Sequence, residues 1–188
     1  EKGSEVGAHI LSGNVFDPKA LNELIPNWEE AGAPLNTPVK NDSVRYFIND
    51  STSLPIPTFL ATTFKNHGNY IMSLGNFCRW LAEQAESLEI DVFPGFTASH
   101  LIYKDDVVVG ISTGDMGIDA NGDKKPSYEP GIDLRAKYTV LSEGCRGYLG
   151  KEIIAKYKLD EKTDPQHYGI GFKEVWDIDP DLHQEGLV

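Results

Sequence analysis

The sequence predicts a mixed α/β chain, and three observations carry that prediction. An apolar stripe at helical spacing over Leu74–Leu88 is followed at once by Ile90, Val92 and Phe93, which alternate around Asp91 as a short strand ended by Pro94-Gly95. A helix handing over to a strand is the α/β crossover. The β-rich run Leu134–Leu141 leads through Ser142-Glu143-Gly144-Cys145-Arg146-Gly147 into a helical stretch from about Tyr148 to Lys158. Ala98–Tyr103 and Val107–Thr113 flank Lys104-Asp105-Asp106 and read as a β-hairpin.

Composition bounds what such a chain does. Its 188 residues suit one large domain or parts of two, and 40% hydrophobic residues with 10% aromatics are ordinary for a folded core. The net charge of −12 argues against a nucleic-acid groove, which needs clustered Lys and Arg. Cys78 and Cys145 make neither a disulfide framework nor a Cys-x-x-Cys metal motif, which fits a reducing compartment. No apolar run is long enough to span a bilayer, and no signal-peptide pattern is visible. Contact with a membrane surface is left open.

Taken in order, the chain begins with Glu1-Lys2-Gly3 and the glycine-bracketed stretch Gly7–Pro18. Glycine lets a backbone approach a bulky ligand closely. An acidic residue closing a strand holds a ribose hydroxyl in nucleotide folds, and Glu1 would be that residue. Read alone, the stretch is better taken as a glycine-bounded surface loop. A chain starting at the ribose-binding end of a strand suggests a fragment, or a reading that lost its first β-α-β unit.

Asp17 as N-cap and Pro18 in the first helical position open a short helix with Ala20, Leu21, Leu24 and Ile25 inward, stopped by Pro26. Trp28 is expected to pack against its end, before an extended loop over Gly32–Pro38. Residues 39–63 carry Val44, Tyr46, Phe47 and Ile48, then Leu54-Pro55-Ile56-Pro57. The alternate prolines restrict this to an edge strand or extended loop, whose apolar residues could face a quinone or lipid but are read here as covering a core.

The helix predicted over Leu74–Leu88 buries Leu74, Phe77, Cys78, Leu81, Ala85 and Leu88, with Glu83, Gln84 and Glu86 on the wet side. Cys78 is then a small core residue. Past the hairpin, Gly114–Gly117 and Asn121-Gly122-Asp123 read as turns. Asp119, Asn121 and Asp123 resemble the start of a calcium loop, but the required glycine and closing glutamate are missing, so calcium is rejected. A strand, a glycine turn and a helix N-terminus around Glu143–Gly147 read as an anion cradle or as a plain β-α turn. Cys145 lacks a neighbouring base and is not read as a nucleophile. His167–Trp176 is predicted as a further strand, and Gly186-Leu187-Val188 as the start of another.

One family resembles the chain throughout. Glu-Lys-x-x-x-x-Gly-Ala-His-x-x-Ser-Gly at 1–13 is followed by Asp17-Pro18 and by Gly-Ala-Pro-Leu-x-Thr-Pro-Val at 32–39. His-Gly-Asn-Tyr-Ile-x-x-Leu-Gly at 67–75 and Trp-Leu-Ala-Glu-Gln-Ala-Glu at 80–86 come next. Val92–Gly95, Asp115-x-Gly117, Glu143-Gly144-Cys145-x-Gly147 and Tyr168-Gly169-Ile170-Gly171-x-Lys173-Glu174 complete the series. Together these resemble electron transfer flavoprotein–ubiquinone oxidoreductases.

The resemblance implies part of a glutathione-reductase-like FAD-binding domain over residues 1–165, with a quinone-binding β-rich domain beginning at 166–188. It implies an oxidoreductase peripheral on the bacterial cytoplasmic or mitochondrial inner membrane. Such an enzyme takes electrons from reduced electron transfer flavoprotein and passes them to ubiquinone through FAD and a 4Fe–4S cluster. The cofactors carry the electrons, so no protein group is expected to be catalytic.

The glycine fingerprint for the FAD pyrophosphate and the cluster cysteines are not in these residues, so the chain by itself is expected to be inactive. By the resemblance, Glu1 matches the ribose carboxylate, Gly7, Ser12 and Gly13 lie alongside the flavin, and Glu143 and Gly144 close on the cofactor. Ser73 stands where some members have Arg and is not taken as a ligand. The competing expectations are a flavin-dependent reductase of an isoprenoid or other lipid, as in geranylgeranyl reductases, and an inactive fragment.

Overall fold

A computed structural model of the chain describes residues 1–11, 13–57, 59 and 62–188. Mixed helices and antiparallel sheets divide between two compact units. One comprises Glu5–Val92 with Lys173–Val188, the other Glu1–Ser4 with Phe93–Phe172.

In the first unit, strand β1 (Asn14–Phe16) leads to helix α1 (Lys19–Leu24). The helix starts one residue later than predicted: Pro18 is its N-cap instead of its first helical residue, and Asp17, just outside, accepts the Lys19 N–H on Oδ1 at 2.9 Å. Leu21 is buried beneath α1, but Leu24 points outward, because a helix of under two turns has room for one inward row. Strand β2 (Thr37–Pro38), the hairpin β3 (Val44–Asn49)–β4 (Thr52–Ile56), strand β5 (Tyr70–Met72) and helix α2 (Leu74–Ser87) follow. Strands β1, β5 and β2 form an antiparallel sheet with β5 central, Ile71 facing both Val15 and Thr37.

That sheet and α2 enclose a core of Leu21, Trp28, Ala33, Leu35, Met72, Phe77 and Trp80. Phe77 stacks on Trp80, with ring centroids 5.8 Å apart, while Trp28 meets Tyr70 edge-on. Both buried indoles have acceptors: Trp28 Nε1 donates to Asn22 Oδ1 at 2.6 Å and Trp80 Nε1 to the Ala31 carbonyl at 3.0 Å. Each side chain of this size contributes roughly 1.5–3 kcal/mol by leaving water. Ser73 caps α2 by accepting the Asn76 N–H. The inward face of α2 centres on Gly75, Phe77 and Trp80; Leu88 is exposed, having passed beyond the last turn, and Cys78 is half-buried.

The β3–β4 hairpin corrects the reading of residues 39–63. Pro55 does sit in a two-stranded edge arrangement, opposite Arg45. The pair covers no core, however: Tyr46, Phe47, Ile48 and Leu54 are all more than half exposed. At the chain's other end, Leu187 forms a parallel bridge with Asn41, and the Gly186 carbonyl accepts the Lys40 N–H at 2.8 Å.

In the second unit, β6 (Ala98–Lys104) and β7 (Val107–Thr113) form the predicted hairpin, turned by Asp105 and Asp106 at φ +49° and +64°. Two positive φ values in a two-residue loop match the right-handed twist of the strands. A second hairpin, β8 (Met116–Ile118) with β9 (Lys124–Glu129), contains the segment read as turns. Asp119 Oδ1 accepts from the Asn121 and Asp123 amides and shapes that hairpin's loop. Strand β10 (Asp133–Arg135) adds to β7, and helix α3 (Tyr148–Tyr157) buries Leu149.

Three predicted strands are absent or short, for one reason: a strand exists only where a neighbour takes its N–H and C=O groups. Past α2, Glu89 turns left-handed and the Ile90 N–H bonds back to the Ala85 carbonyl, so residues 90–93 enter no ladder. The run predicted over Leu134–Leu141 keeps strand only to Arg135, leaving Tyr138 and Val140 exposed. His167–Trp176 also lies outside any ladder of the described residues, with Phe172 96% exposed.

Candidate functional site

The second unit holds a cavity of about 800 Å³ lined by Glu1, Lys2, Phe96, Thr97, Ala98, Ser99, His100, Ser142, Glu143 and Tyr148. Three elements build it. The start of β6 supplies one wall, α3 and the turn before it supply another, and residues 1–2 close it beside Phe93–Gly95. That last segment is held by the Glu1 backbone nitrogen on the Phe93 carbonyl (3.2 Å) and the Gly95 N–H on the Gly3 carbonyl (2.7 Å).

The α3 wall is fastened to the β6–β7 hairpin by side chains. The Tyr103 hydroxyl donates to Glu152 at 2.9 Å, and Lys156 pairs with Asp106 at 2.6 Å while lying over the Tyr103 ring. Burial, followed by the neighbouring Glu152 carboxylate, pushes the Tyr103 phenol up to about 12, so it stays a neutral donor at any working pH. The Asp106 carboxylate raises the Lys156 ammonium above its ordinary value.

Glu1 and Glu143 therefore meet in one cavity, although 142 positions separate them in sequence. Glu1 Oε1 accepts the Gly3 N–H at 2.6 Å, which fixes the carboxylate at the cavity edge. Glu143 is used differently. Its Oε1 accepts the Leu149 N–H at 3.2 Å and its Oε2 the Gly150 N–H at 2.8 Å, so the carboxylate caps α3. The helix end read as an anion cradle thus already holds an anion, supplied by the chain itself. Gly144 follows at φ +80° and lines a narrow cleft of about 100 Å³ with Cys145, Lys151 and Tyr168.

The remaining predicted residues belong to the first unit. Gly7, at φ +86°, packs on the α2 start, where a Cβ would run into the Gly75 carbonyl. Gly13 lines a cavity of about 470 Å³ with Asn14, Val15, Ile71, Lys173, Leu187 and Val188, and its carbonyl accepts from Lys173 Nζ at 2.7 Å. Ser12 lies outside the described residues. Sequence reasoning missed Lys2, Phe96 and Lys173 as lining residues. Lys2 was legible from its place beside Glu1, whereas Lys173 reaches Gly13 across 160 positions and carried no local signal.

Among the described residues no group of His, Cys, Asp and Glu is placed to hold a metal ion, and no helix is long and apolar enough to cross a membrane. No protein-family model matches the chain. Relatives do, over its whole length. The electron transfer flavoprotein–ubiquinone oxidoreductase of Pseudomonas aeruginosa is 58% identical, with all of this chain and 35% of the relative covered. The probable counterpart of Acinetobacter baylyi is 55% identical, with 33% of it covered, and the mitochondrial one of Dictyostelium discoideum 52%, with 31% covered.

Over its full length the chain is homologous to electron transfer flavoprotein–ubiquinone oxidoreductases. It spans about a third of the length of these relatives. In this oxidoreductase homologue, the relatives' names agree with the family resemblance carried by the motifs at 1–13, 67–75 and 143–147.

Proposed function

We propose that this chain is the part of a quinone-reducing flavoprotein that holds the nucleotide half of FAD. The parent protein would carry electrons from reduced electron transfer flavoprotein to ubiquinone, with a 4Fe–4S cluster ligated outside these residues. The observation that supports this most directly is the cavity that joins Glu1 to Glu143. Its volume is that of a cofactor site, and its lining mixes two aromatic rings (Phe96 and Tyr148), small residues and two carboxylates (Glu1 and Glu143). The fit is chemical as well. Glu1 would accept the ribose hydroxyls, and Phe96 with Thr97–Ser99 would border the base. Bound FAD would supply the electron chemistry, while the chain binds, orients and shields it.

Residues 1–165 are then assigned to the flavin-binding domain, and 166–188 to the start of the quinone-binding domain. By the resemblance, Gly7, Ser12 and Gly13 would lie alongside the flavin and Gly144 would belong to the turn that closes on the cofactor; Lys173 is held at Gly13. The parent would be peripheral on the bacterial cytoplasmic or mitochondrial inner membrane. The exposed apolar side chains of the β3–β4 hairpin support that contact.

The test is a visible spectrum with FAD and iron analysis on the protein expressed from its full reading frame. Stoichiometric flavin together with iron–sulfur absorption is expected. Flavin without iron would favour a lipid reductase, and no chromophore would overturn the flavin reading.

A further inference from the structure

Glu143, one of the residues lining the cavity, already has a backbone partner for each of its carboxylate oxygens. Both Glu143 oxygens face amides of α3, on Leu149 and Gly150. Counted from Gly147, the N-cap, these are the second and third helical amides, the pair that an N-cap side chain ordinarily takes. Gly147 has no side chain to offer, and the space for one is taken: a Cβ there would lie 2.6 Å from Glu143 Cβ and 2.8 Å from its Oε2. Its backbone, at φ −53° and ψ +144°, is open to any L-residue. Glu143 and Gly147 therefore form one device, in which a remote carboxylate stands in for the missing cap.

We propose that Glu143 is a positioning residue of the cavity. It acts through the N-terminus of α3, setting the wall of Ser142 and Tyr148, and it does not contact the cofactor. The consequence is that the Leu149 and Gly150 amides at the α3 terminus are taken by the chain's own carboxylate. This inference rests on the flavin reading above.

The test uses a second-site swap in the protein from its full reading frame. Glu143→Ala uncaps α3 and is expected to speed amide exchange at Leu149 and Gly150 roughly tenfold, as loss of a cap does. FAD affinity, measured by titrating the apoprotein, is expected to fall with it. Because a Cβ at 147 would also lie 2.6 Å from the Glu143 Cβ, the rescue adds Gly147→Asp in a Glu143→Gly background, which vacates that space and places a carboxylate at the N-cap, and both properties should recover relative to Glu143→Gly alone. Gly147→Asp alone should be damaging, because Glu143 still fills that space.

Recovery of exchange protection without recovery of FAD affinity would overturn the proposal and make Glu143 a ligand. Unchanged exchange in Glu143→Ala would overturn it as well. Wild-type protein that takes up no FAD would overturn the flavin reading and this inference together. Uptake by wild type with affinity unrepaired in the double variant would overturn this inference alone.

Discussion

At the scale of single residues, two glycines of the same motif do different work. Gly7 is needed both for its positive φ and for the close approach of Gly75; Gly13 shares the positive φ but has open space where a Cβ would go. Gly7→Ala is expected to cost about 1–3 kcal/mol and Gly13→Ala about 1 kcal/mol or less, read from urea midpoints at constant slope. Equal losses would mean that backbone strain alone governs both positions. The motif was legible in sequence, but the partner of Gly7 was not, since Gly75 lies 68 positions away.

At the same scale, two of the carboxylates held below their ordinary values give a prediction about acid sensitivity. The Asn66 backbone N–H and side-chain amide hold Asp42 below its ordinary value, and the Gly131 N–H with the Tyr128 hydroxyl does the same for Asp115. Folding favours the charged form in both, so their contribution is fully present above the unfolded value of about 3.9 and is lost as pH falls through the lower folded one. Asp42→Asn and Asp115→Asn should each flatten the fall in urea midpoint below about pH 4. An unaltered acid limb in both variants would rule these contacts out as its source.

At the scale of elements, what could be read depended on how locally each element is stabilised. Helices α2 and α3 and the β6–β7 hairpin were legible because apolar periodicity, a glycine turn before a helix and a short polar turn between apolar runs are all short-range signals. The hairpin β3–β4 was recognised as edge-like from its prolines, yet its apolar side chains were assigned to covering a core. Apolar residues on an edge hairpin look the same in sequence whether they face protein or lipid.

Their exposure gives a prediction. Phe47→Asp combined with Leu54→Asp should lower partitioning of the full-reading-frame protein into neutral phosphatidylcholine vesicles by more than about tenfold, since each apolar side chain contributes roughly 1.5–3 kcal/mol on leaving water. Thermal stability should stay within about 1 kcal/mol, because both positions are exposed. Undiminished flotation would remove this hairpin from the membrane-facing surface.

For the molecule as a whole, the governing quantity is the net charge of −12. Like charges on a compact body repel, and salt screens them. The melting temperature should therefore rise between about 0.01 and 0.15 M sodium chloride, over which the screening length falls from about 30 to 8 Å. A flat or falling response would show that the surface ion pairs, such as Lys40–Glu185 and Arg79–Glu5, outweigh the general repulsion. The candidate site belongs to this scale too. Sequence motifs named Glu1 and Glu143, but only the folded unit made them neighbours.

By itself the sequence determined what short-range physics determines: two helices, one tight hairpin, an acidic surface, and motifs that resemble those of electron transfer flavoprotein–ubiquinone oxidoreductases. The tertiary structure decided everything that needs a distant partner. It left 90–93 and most of 134–141 outside any sheet, because no neighbouring strand takes up their backbone groups. It also gave the Glu143 carboxylate, which lines the cavity, the Leu149 and Gly150 amides of α3 as partners. A carboxylate's chemistry is written in its residue type, but its hydrogen-bond partner is chosen by which amides the fold leaves unsatisfied beside it.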